Sequence, residues 1–262
     1  MITPMGTAQK KTVAVIGLGY VGLPLAVRAV ERGYDVIGFD THAEKVEVLK
    51  KKKSPIEDQY LIDNIPKFPF EATTDASRLA DADIVLICVP TPVDEMYYPD
   101  LEPVISAATV SAEHLKKGAL VVLESTVNPG VSEEVIRPIF EEHGHKLGKD
   151  VFIAHCPERI NPGDEKWNVT NIPRVVGAFD QKGLKMALEF YRAIVDGEIR
   201  PMKSIREAEA VKVVENSFRD INIAFVNELA RSFDVLGIDV KDVIQGASTK
   251  PFSFMPHFPS CG

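Results

Sequence analysis

Three glycines and an aspartate near the N-terminus carry the plainest chemistry in the chain. Gly17, Gly19 and Gly22 stand in the run Gly-Leu-Gly-Tyr-Val-Gly, directly after the apolar residues 13–16. Asp40 follows eighteen positions after Gly22, at the end of a second apolar run, 36–39. This spacing predicts a strand, a tight turn and a helix. Gly17 lets the chain turn, Gly19 removes a side chain where a pyrophosphate would sit, and Gly22 lets the helix pack close to the strand. The helix start then points free amides and the positive end of its dipole at the phosphates. A carboxylate at position 40 suits a ribose diol and would repel a 2′-phosphate, so the pattern reads as a site for NAD rather than NADP.

Further segments of the right chemical type follow. Cys88-Val89-Pro90-Thr91-Pro92 closes an apolar run with a rigid turn, either a plain strand end or a wall of the cofactor site. Glu124-Ser125-Thr126-Val127-Asn128-Pro129-Gly130 sets two hydroxyls after another such run. Those hydroxyls can bond a nicotinamide or a substrate, or cap a helix. Pro157-Glu158-Arg159-Ile160-Asn161-Pro162-Gly163 is a polar, turn-rich segment with an adjacent acid and base. Lys212 and Asn216 put an ammonium and an amide one helical turn apart, and Arg219 continues that face. A lysine can stabilise an alkoxide as a hydride leaves, or hold an attacking water, and an amide can orient either group. In isolation the same face would simply be solvated. His143 and His145 lie near a helix end without a third ligand at metal spacing, so no metal site is expected.

The elements that must position these groups alternate. Strand-like apolar runs at 13–16, 35–39, 84–89, 120–123, 151–154 and 174–177 are separated by helical patterns at 21–32, 43–51, 101–115 and 131–143. The alternation predicts an α/β chain, a Rossmann-type doubly wound and mostly parallel sheet with helices on both faces. Ligands bind beyond the carboxyl ends of such strands, and the glycine run, 90–92 and 125–130 all follow strands. The lysines at 50–53 read as a solvated helix end, and 55–69 reads as an irregular connection. After Pro201 the pattern changes: 204–236 holds neither Pro nor Gly, enough for a helix of about 50 Å. Val214, Phe218, Ile221, Phe225 and Leu229 form an apolar stripe along it. Gly237 ends that helix, and a short one is expected over 239–245. The division expected is a dinucleotide-binding domain over 1–201, then a connecting helix and the start of a helical domain over 202–262.

The bulk numbers agree with an ordinary globular protein. The chain has 262 residues, 45% hydrophobic and 26% charged, enough for one large or two small domains. A net charge of −8 argues against nucleic acid or an anionic membrane as the partner of the whole surface. Three scattered cysteines suggest no disulfide framework, no apolar run is long enough for a membrane span, and residues 1–11 lack an apolar signal core. A cytoplasmic protein is the expectation.

Taken in order, the segments at 17–22, 89–92, 124–127, 157–163 and 212–216 resemble those of the UDP-glucose/GDP-mannose dehydrogenase family. The Pro-Glu-Arg form at 157–159 resembles its UDP-N-acetylhexosamine branch. The likeness runs from about Val13 to Phe258. It implies oxidation of a sugar C6 alcohol to a carboxylate with two NAD consumed, in nucleotide-sugar and surface-polysaccharide biosynthesis. A cysteine thiolate captures the aldehyde as a thiohemiacetal, and water later hydrolyses a thioester. By the same resemblance, Tyr20 and Val21 offer amides to the pyrophosphate, and Asp40 binds the adenosine ribose with Lys45 nearby. Val89, Pro90, Thr91 and Ser125 help to hold the cofactor. Thr126 and Glu158 sit by the nicotinamide and the reacting carbon, Glu158 as a candidate for water-assisted proton transfer. Arg159, Ile160, Asn161 and Arg219 face the substrate, Lys212 stabilises oxyanions, and Asn216 helps hold them. The long helix packs in a homodimer interface.

The end of the chain departs from that pattern. Aligned on Phe258-Pro259, Cys261 falls where the family has the proline of a Gly-Pro-Gly turn, so it is not expected to be the nucleophile. The chain is expected to bind NAD but not to oxidise a UDP-sugar alone. Two other readings stay open. A β-hydroxyacid dehydrogenase also joins such a domain to a long helix with a Lys-x-x-x-Asn pair, but 205–211 lacks the glycines expected there. A non-catalytic NAD-binding dimer is the third. The epimer of the sugar is not legible, although UDP-N-acetylglucosamine is preferred over UDP-N-acetylmannosamine.

Overall fold

In the computed structural model, residues 10–160 and 166–260 are described. One eight-stranded sheet forms the centre: β1 (Thr12–Ile16), β2 (Asp35–Phe39), β3 (Glu71–Thr73), β4 (Ile84–Ile87), β5 (Ala119–Leu123), β6 (Val151–His155), β7 (Arg174–Ala178) and β8 (Ile199–Pro201). Their order is β3-β2-β1-β4-β5-β6-β7-β8. All neighbours run parallel except β6 and β7, which are antiparallel. The expected doubly wound sheet is therefore present. Its central strands are apolar at every position because helices cover both faces. Every residue of β4, Ile-Val-Leu-Ile, and of β5, Ala-Leu-Val-Val-Leu, is buried.

Strand order reverses between β1 and β4, and a crevice opens at that point. Ile16 pairs with Phe39 on one side and with Ile87 on the other. The glycine turn, Asp40 and Cys88 therefore leave three neighbouring strands at one level. Two apolar layers enclose the sheet. On one face α1 (Gly22–Glu31) and α6 (Gln181–Ile194) supply Leu23, Val27, Ala187 and Phe190. On the other, α4 (Glu102–His114) and α5 (Arg137–Glu142) supply Val104, Ala108 and Phe140.

The structure departs from the sequence expectations in places with identifiable causes. α2 (Ala43–Lys50) is as expected, but the connection at 55–69 contains α3 (Gln59–Asn64). Asp58 caps it by accepting from the Leu61 amide, and Leu61 and Ile65 are buried beneath. α6 has a similar signature, with Asp180 accepting from the Gly183 amide. The helix expected over 131–143 is broken into a π turn, Ser132–Ile136, followed by α5. Pro138 explains this, because its ring has no N–H and would strike the carbonyl four residues back in a regular helix. β3 and β8 are three-residue edge strands, too short to leave a periodic trace.

The chain folds as two compact units, one reaching Ala210 and the other beginning at Val211. The helix α7 (Ile205–Val235) starts in the first. Its opening turn lies directly on β7, where a Cβ added at Gly177 would stand 2.4 Å from the Ser204 carbonyl oxygen. Glu209, wholly buried, ties the same turn to the loop after β5: its carboxylate accepts the amides of Gly130 at 2.6 Å and Ser132 at 2.8 Å. In the second unit, α8 (Val240–Ser248) is capped by Asp239, and Val226 and Ile244 are buried. Asn227 exchanges two hydrogen bonds with the backbone of Ser260. The apolar stripe is not covered: Val214, Phe218, Ile221 and Phe225 are all exposed, with Leu229 half-buried.

Candidate functional site

The first βα turn is shaped by what will not fit in it. Gly17 has φ of +90°, a conformation that side chains disfavour, and a Cβ there would stand 2.7 Å from the carbonyl oxygen of Cys88. A Cβ on Gly22 would stand 2.0 Å from the carbonyl oxygen of Gly17 and 3.0 Å from Cβ of Cys88. Gly19 is different: nothing lies within 4 Å of the position its Cβ would take. The turn thus presses against β1 and β4 at both ends and opens to space in the middle. Val21 caps α1 without any side-chain hydrogen bond, and no acid stands in the first turn. Asp58, Asp180 and Asp239 cap three other helices with their side chains, whereas α1 has neither such a cap nor an acid in its first turn, which leaves its amides and dipole addressed outward. These residues fit a pyrophosphate.

Asp40 stands next to this turn, 5% exposed. One carboxylate oxygen accepts the Leu18 amide at 2.9 Å and the Lys45 ammonium at 2.6 Å. The other accepts the His42 amide at 2.9 Å and lies 3.0 Å from the His42 ring. Burial pushes the carboxyl up, but hydrogen bonds from Lys45, His42 and Leu18 outweigh it and hold Asp40 below the usual carboxylate range. It is ionised at neutral pH, as a ribose-diol acceptor must be.

A cleft of about 620 Å³ joins these groups. Of the residues expected around a cofactor, Gly17, Gly19, Tyr20, Val21, Asp40, Lys45, Val89 and Pro90 line it. Gly22 lies beneath the turn, and Thr91, Ser125 and Thr126 are not in its lining. Sequence reasoning missed the opposite wall, Pro103, Ala107 and Val110 of α4, and also His42. Those three recur at i, i+4 and i+7, a signal available had helices been weighed beside the loops after strands. A larger hollow of about 940 Å³ lies around the other ends of the strands, but its charged groups are engaged with one another, including Lys10 with Asp35 and Arg78 with Glu71.

Further along the carboxyl edge, the loops after β5 and β6 meet over a buried cation. Ser125 turns its hydroxyl inward and donates to the Val89 carbonyl at 2.7 Å, which joins that loop to the cleft wall. Thr126 is half-buried. Glu158 is 7% exposed. One of its oxygens accepts the amides of Arg159 and Ile160, and the other accepts Arg174 at 2.9 Å. Arg174 also donates to Glu124 at 2.8 Å, and Tyr191 donates its hydroxyl to the same carboxylate. Burial pushes the Glu124 carboxyl up to about 7, the neighbouring Glu158 adding to the rise and Arg174 opposing it. Arg159 reaches the Pro173 carbonyl at 3.0 Å. Asn161, Pro162 and Gly163 lie outside the described residues, as does Cys261.

Cys88 and Cys156 are both buried, and burial pushes both thiols up, with Glu124 adding to the effect. Neither is a thiolate. His155 is buried and its pKa is lowered to about 3, so the ring is neutral. His143 and His145 bond the carbonyls of Ile139 and Ala112. Among the described residues no acid, histidine and cysteine cluster could hold a metal, and no helix is long and apolar enough to cross a membrane. In the second unit, Lys212, Asn216 and Arg219 share one stretch of α7, where Arg219 donates to the Asn216 side chain at 3.1 Å.

Comparison with known proteins places this geometry. Residues 11–195 match the NAD binding domain of the UDP-glucose/GDP-mannose dehydrogenase family, and residues 206–262 match the family's central domain. The chain belongs to that family, whose NAD-binding domain is the one built here around the glycine turn. It is 39% identical to the protein CapL of Staphylococcus aureus, over 92% of this chain and 57% of CapL. It is 39% identical to a UDP-N-acetyl-D-glucosamine 6-dehydrogenase of Pseudomonas aeruginosa, over 94% of this chain and 58% of that protein. The solved UDP-D-ManNAc dehydrogenase of Pyrococcus horikoshii superposes with a TM-score of 0.90 at 33% identity, covering 96% of this chain and 60% of that one. The chain thus spans somewhat more than half the length of the relatives it matches.

The raised Glu124 carboxyl has a measurable consequence. Its folded value of about 7 lies above the ordinary 4.5, so the folded state holds this proton more tightly than the unfolded chain does. The associated stability is fully present below pH 4.5 and is lost as pH rises through about 7. Glu124→Gln, a neutral stand-in for the protonated acid, is expected to flatten that loss. The melting temperature of the variant should gain on that of the wild-type chain steadily between those limits.

Proposed function

We propose that this chain is the NAD-binding part, joined to the beginning of the central domain, of an enzyme that oxidises the C6 alcohol of a UDP-N-acetylhexosamine to the uronate. UDP-N-acetylglucosamine is the foremost substrate and UDP-N-acetylmannosamine the second. The observation that carries the reading is the uncapped glycine turn, open above Gly19 and flanked by the ionised Asp40. When bound, NAD supplies the hydride acceptor. The amides of Tyr20 and Val21 hold its pyrophosphate, Asp40 and Lys45 its ribose, and Val89 and Pro90 a wall of its pocket. Ser125 and Thr126 border the nicotinamide end, and Glu158, Arg159, Ile160 and Asn161 face the sugar. Lys212 offsets the charge that develops on the sugar oxygen as hydride leaves, with Asn216 and Arg219 orienting it.

The aldehyde stage needs a thiolate; the two described cysteines are buried thiols, and Cys261 does not stand where the family resemblance puts the nucleophile. The 262-residue chain is therefore expected to bind NAD in calorimetry without steady NADH formation from UDP-N-acetylglucosamine. Asp40→Ala should weaken NAD by about tenfold or more, the scale of a lost charged hydrogen bond. Undetectable NAD binding by the wild-type chain, or an unchanged affinity in the variant, would defeat the reading.

Two copies pair, on this reading, through the stripe of Val214, Phe218, Ile221 and Phe225, an exposed apolar row of the kind that soluble chains cover. Sedimentation should show a dimer that Phe218→Glu with Phe225→Glu dissociates. A wild-type chain monomeric at high concentration would contradict the pairing.

A further inference from the structure

Arg174 opens β7 and is wholly buried, a costly place for a guanidinium unless acceptors meet it. Two carboxylates do so from opposite sides. Nη1 lies 2.8 Å from Oε2 of Glu124, the residue that follows β5, and Nη2 lies 2.9 Å from Oε2 of Glu158, just beyond β6. Behind it, Tyr191 of α6 donates its hydroxyl to the other oxygen of Glu124 and sets its ring 5.6 Å from the guanidinium carbon. Nη1 also lies 3.9 Å from Sγ of Cys156. The cation is thus fixed from the rear by an acid and a phenol, and its free edge is turned to one carboxylate.

That carboxylate shapes its own loop. Oε1 of Glu158 accepts the two amides that follow it, those of Arg159 and Ile160, so the chain at 158–160 wraps around the group that Arg174 holds. The sheet has no need of this arrangement, since apolar side chains of similar volume pack in such a place at no loss of stability. Three strand ends converge on one charge, and the cluster leads toward the surface at the turn after Glu158, where Arg159 and Ile160 are half-buried.

We propose that Arg174 is the positioning residue of Glu158: backed by Glu124 and Tyr191, it fixes the Glu158 carboxylate at the carboxyl edge of the sheet and thereby sets the course of the loop at 158–160. The inference rests on the function proposed above for that loop. Arg174 is wholly buried, so it acts through Glu158 rather than on the reacting atoms.

The amides of Arg159 and Ile160 are the reporters. In the nitrogen-15-labelled chain their protons should resonate far downfield, as amides that donate to a carboxylate do. Arg174→Gln removes the facing cation and is expected to shift both reporters upfield, and Arg174→Lys to restore part of the difference. Should Arg174→Gln fail to fold, Tyr191→Phe and Tyr191→Leu serve in its place: they keep the cation but loosen its backing. They should shift the two reporter amides upfield while the amides of β5 and β6 hold position. Reporters that stay unmoved in Arg174→Gln, or in the backing variants, overturn the proposal. A wild-type chain that fails to bind NAD would instead overturn the function while leaving this test of Arg174 intact.

Discussion

The closeness of the first βα turn to β4 is the constraint on which the rest depends. Between Gly17, Gly22 and Cys88 there is no room for one added carbon, with prospective contacts of 2.0 to 3.0 Å. Only a chain with glycine at both positions can press the turn onto two strands at once. That compression aims the uncapped start of α1 across the point where strand order reverses. It also brings the Leu18 amide within 2.9 Å of Asp40, because β1 and β2 pair in register up to Ile16 and Phe39. The outward-facing helix start and the carboxylate beside it are two results of one packing decision.

A common device organises the carboxyl edge. At three places a buried carboxylate gathers donors from a neighbouring loop. Asp40 holds the turn after β1, Glu158 the turn that follows it in sequence, and Glu209 the loop at 130–132. Each anion compensates the burial of backbone amides that no regular element satisfies. The three differ in reach. Asp40 borders the cleft and can exchange an internal donor for a ligand hydroxyl, whereas Glu209 is sealed and serves as a fastening. Glu158 lies between these extremes, and its second oxygen belongs to Arg174.

Much of this was legible in the residues. The central strands announced themselves as apolar runs because both faces are covered. The glycine spacing with Asp40 pointed to the cleft at the carboxyl ends of the strands, down to the open position at Gly19. What stayed hidden depended on partners far apart in sequence. Arg174 reads as a charge at a strand start, and nothing near it signals Glu124, fifty residues earlier, or Tyr191, on a helix not anticipated. The loop at 124–130 was read for its hydroxyls, while its buried acid proved to be the structural element. Short elements were lost for a different reason: β3, β8 and α3 are held by edge pairing and an aspartate cap, neither of which produces periodicity. Pro138 did carry a signal, since a proline inside an expected helix predicts the break that the π turn accommodates.

The central claim is that the glycine turn and Asp40 form the dinucleotide site. It is tested most directly by following backbone amides of the labelled chain as NAD is added. The account predicts the largest shifts at Leu18, Gly19, Tyr20 and Val21, with Thr41 and His42 beside Asp40 moving in parallel. Residues around Asp35, Asp83 and Lys116, at the opposite ends of the strands, should stay still. Shifts concentrated at that opposite end, or a silent glycine turn at saturating NAD, would contradict it.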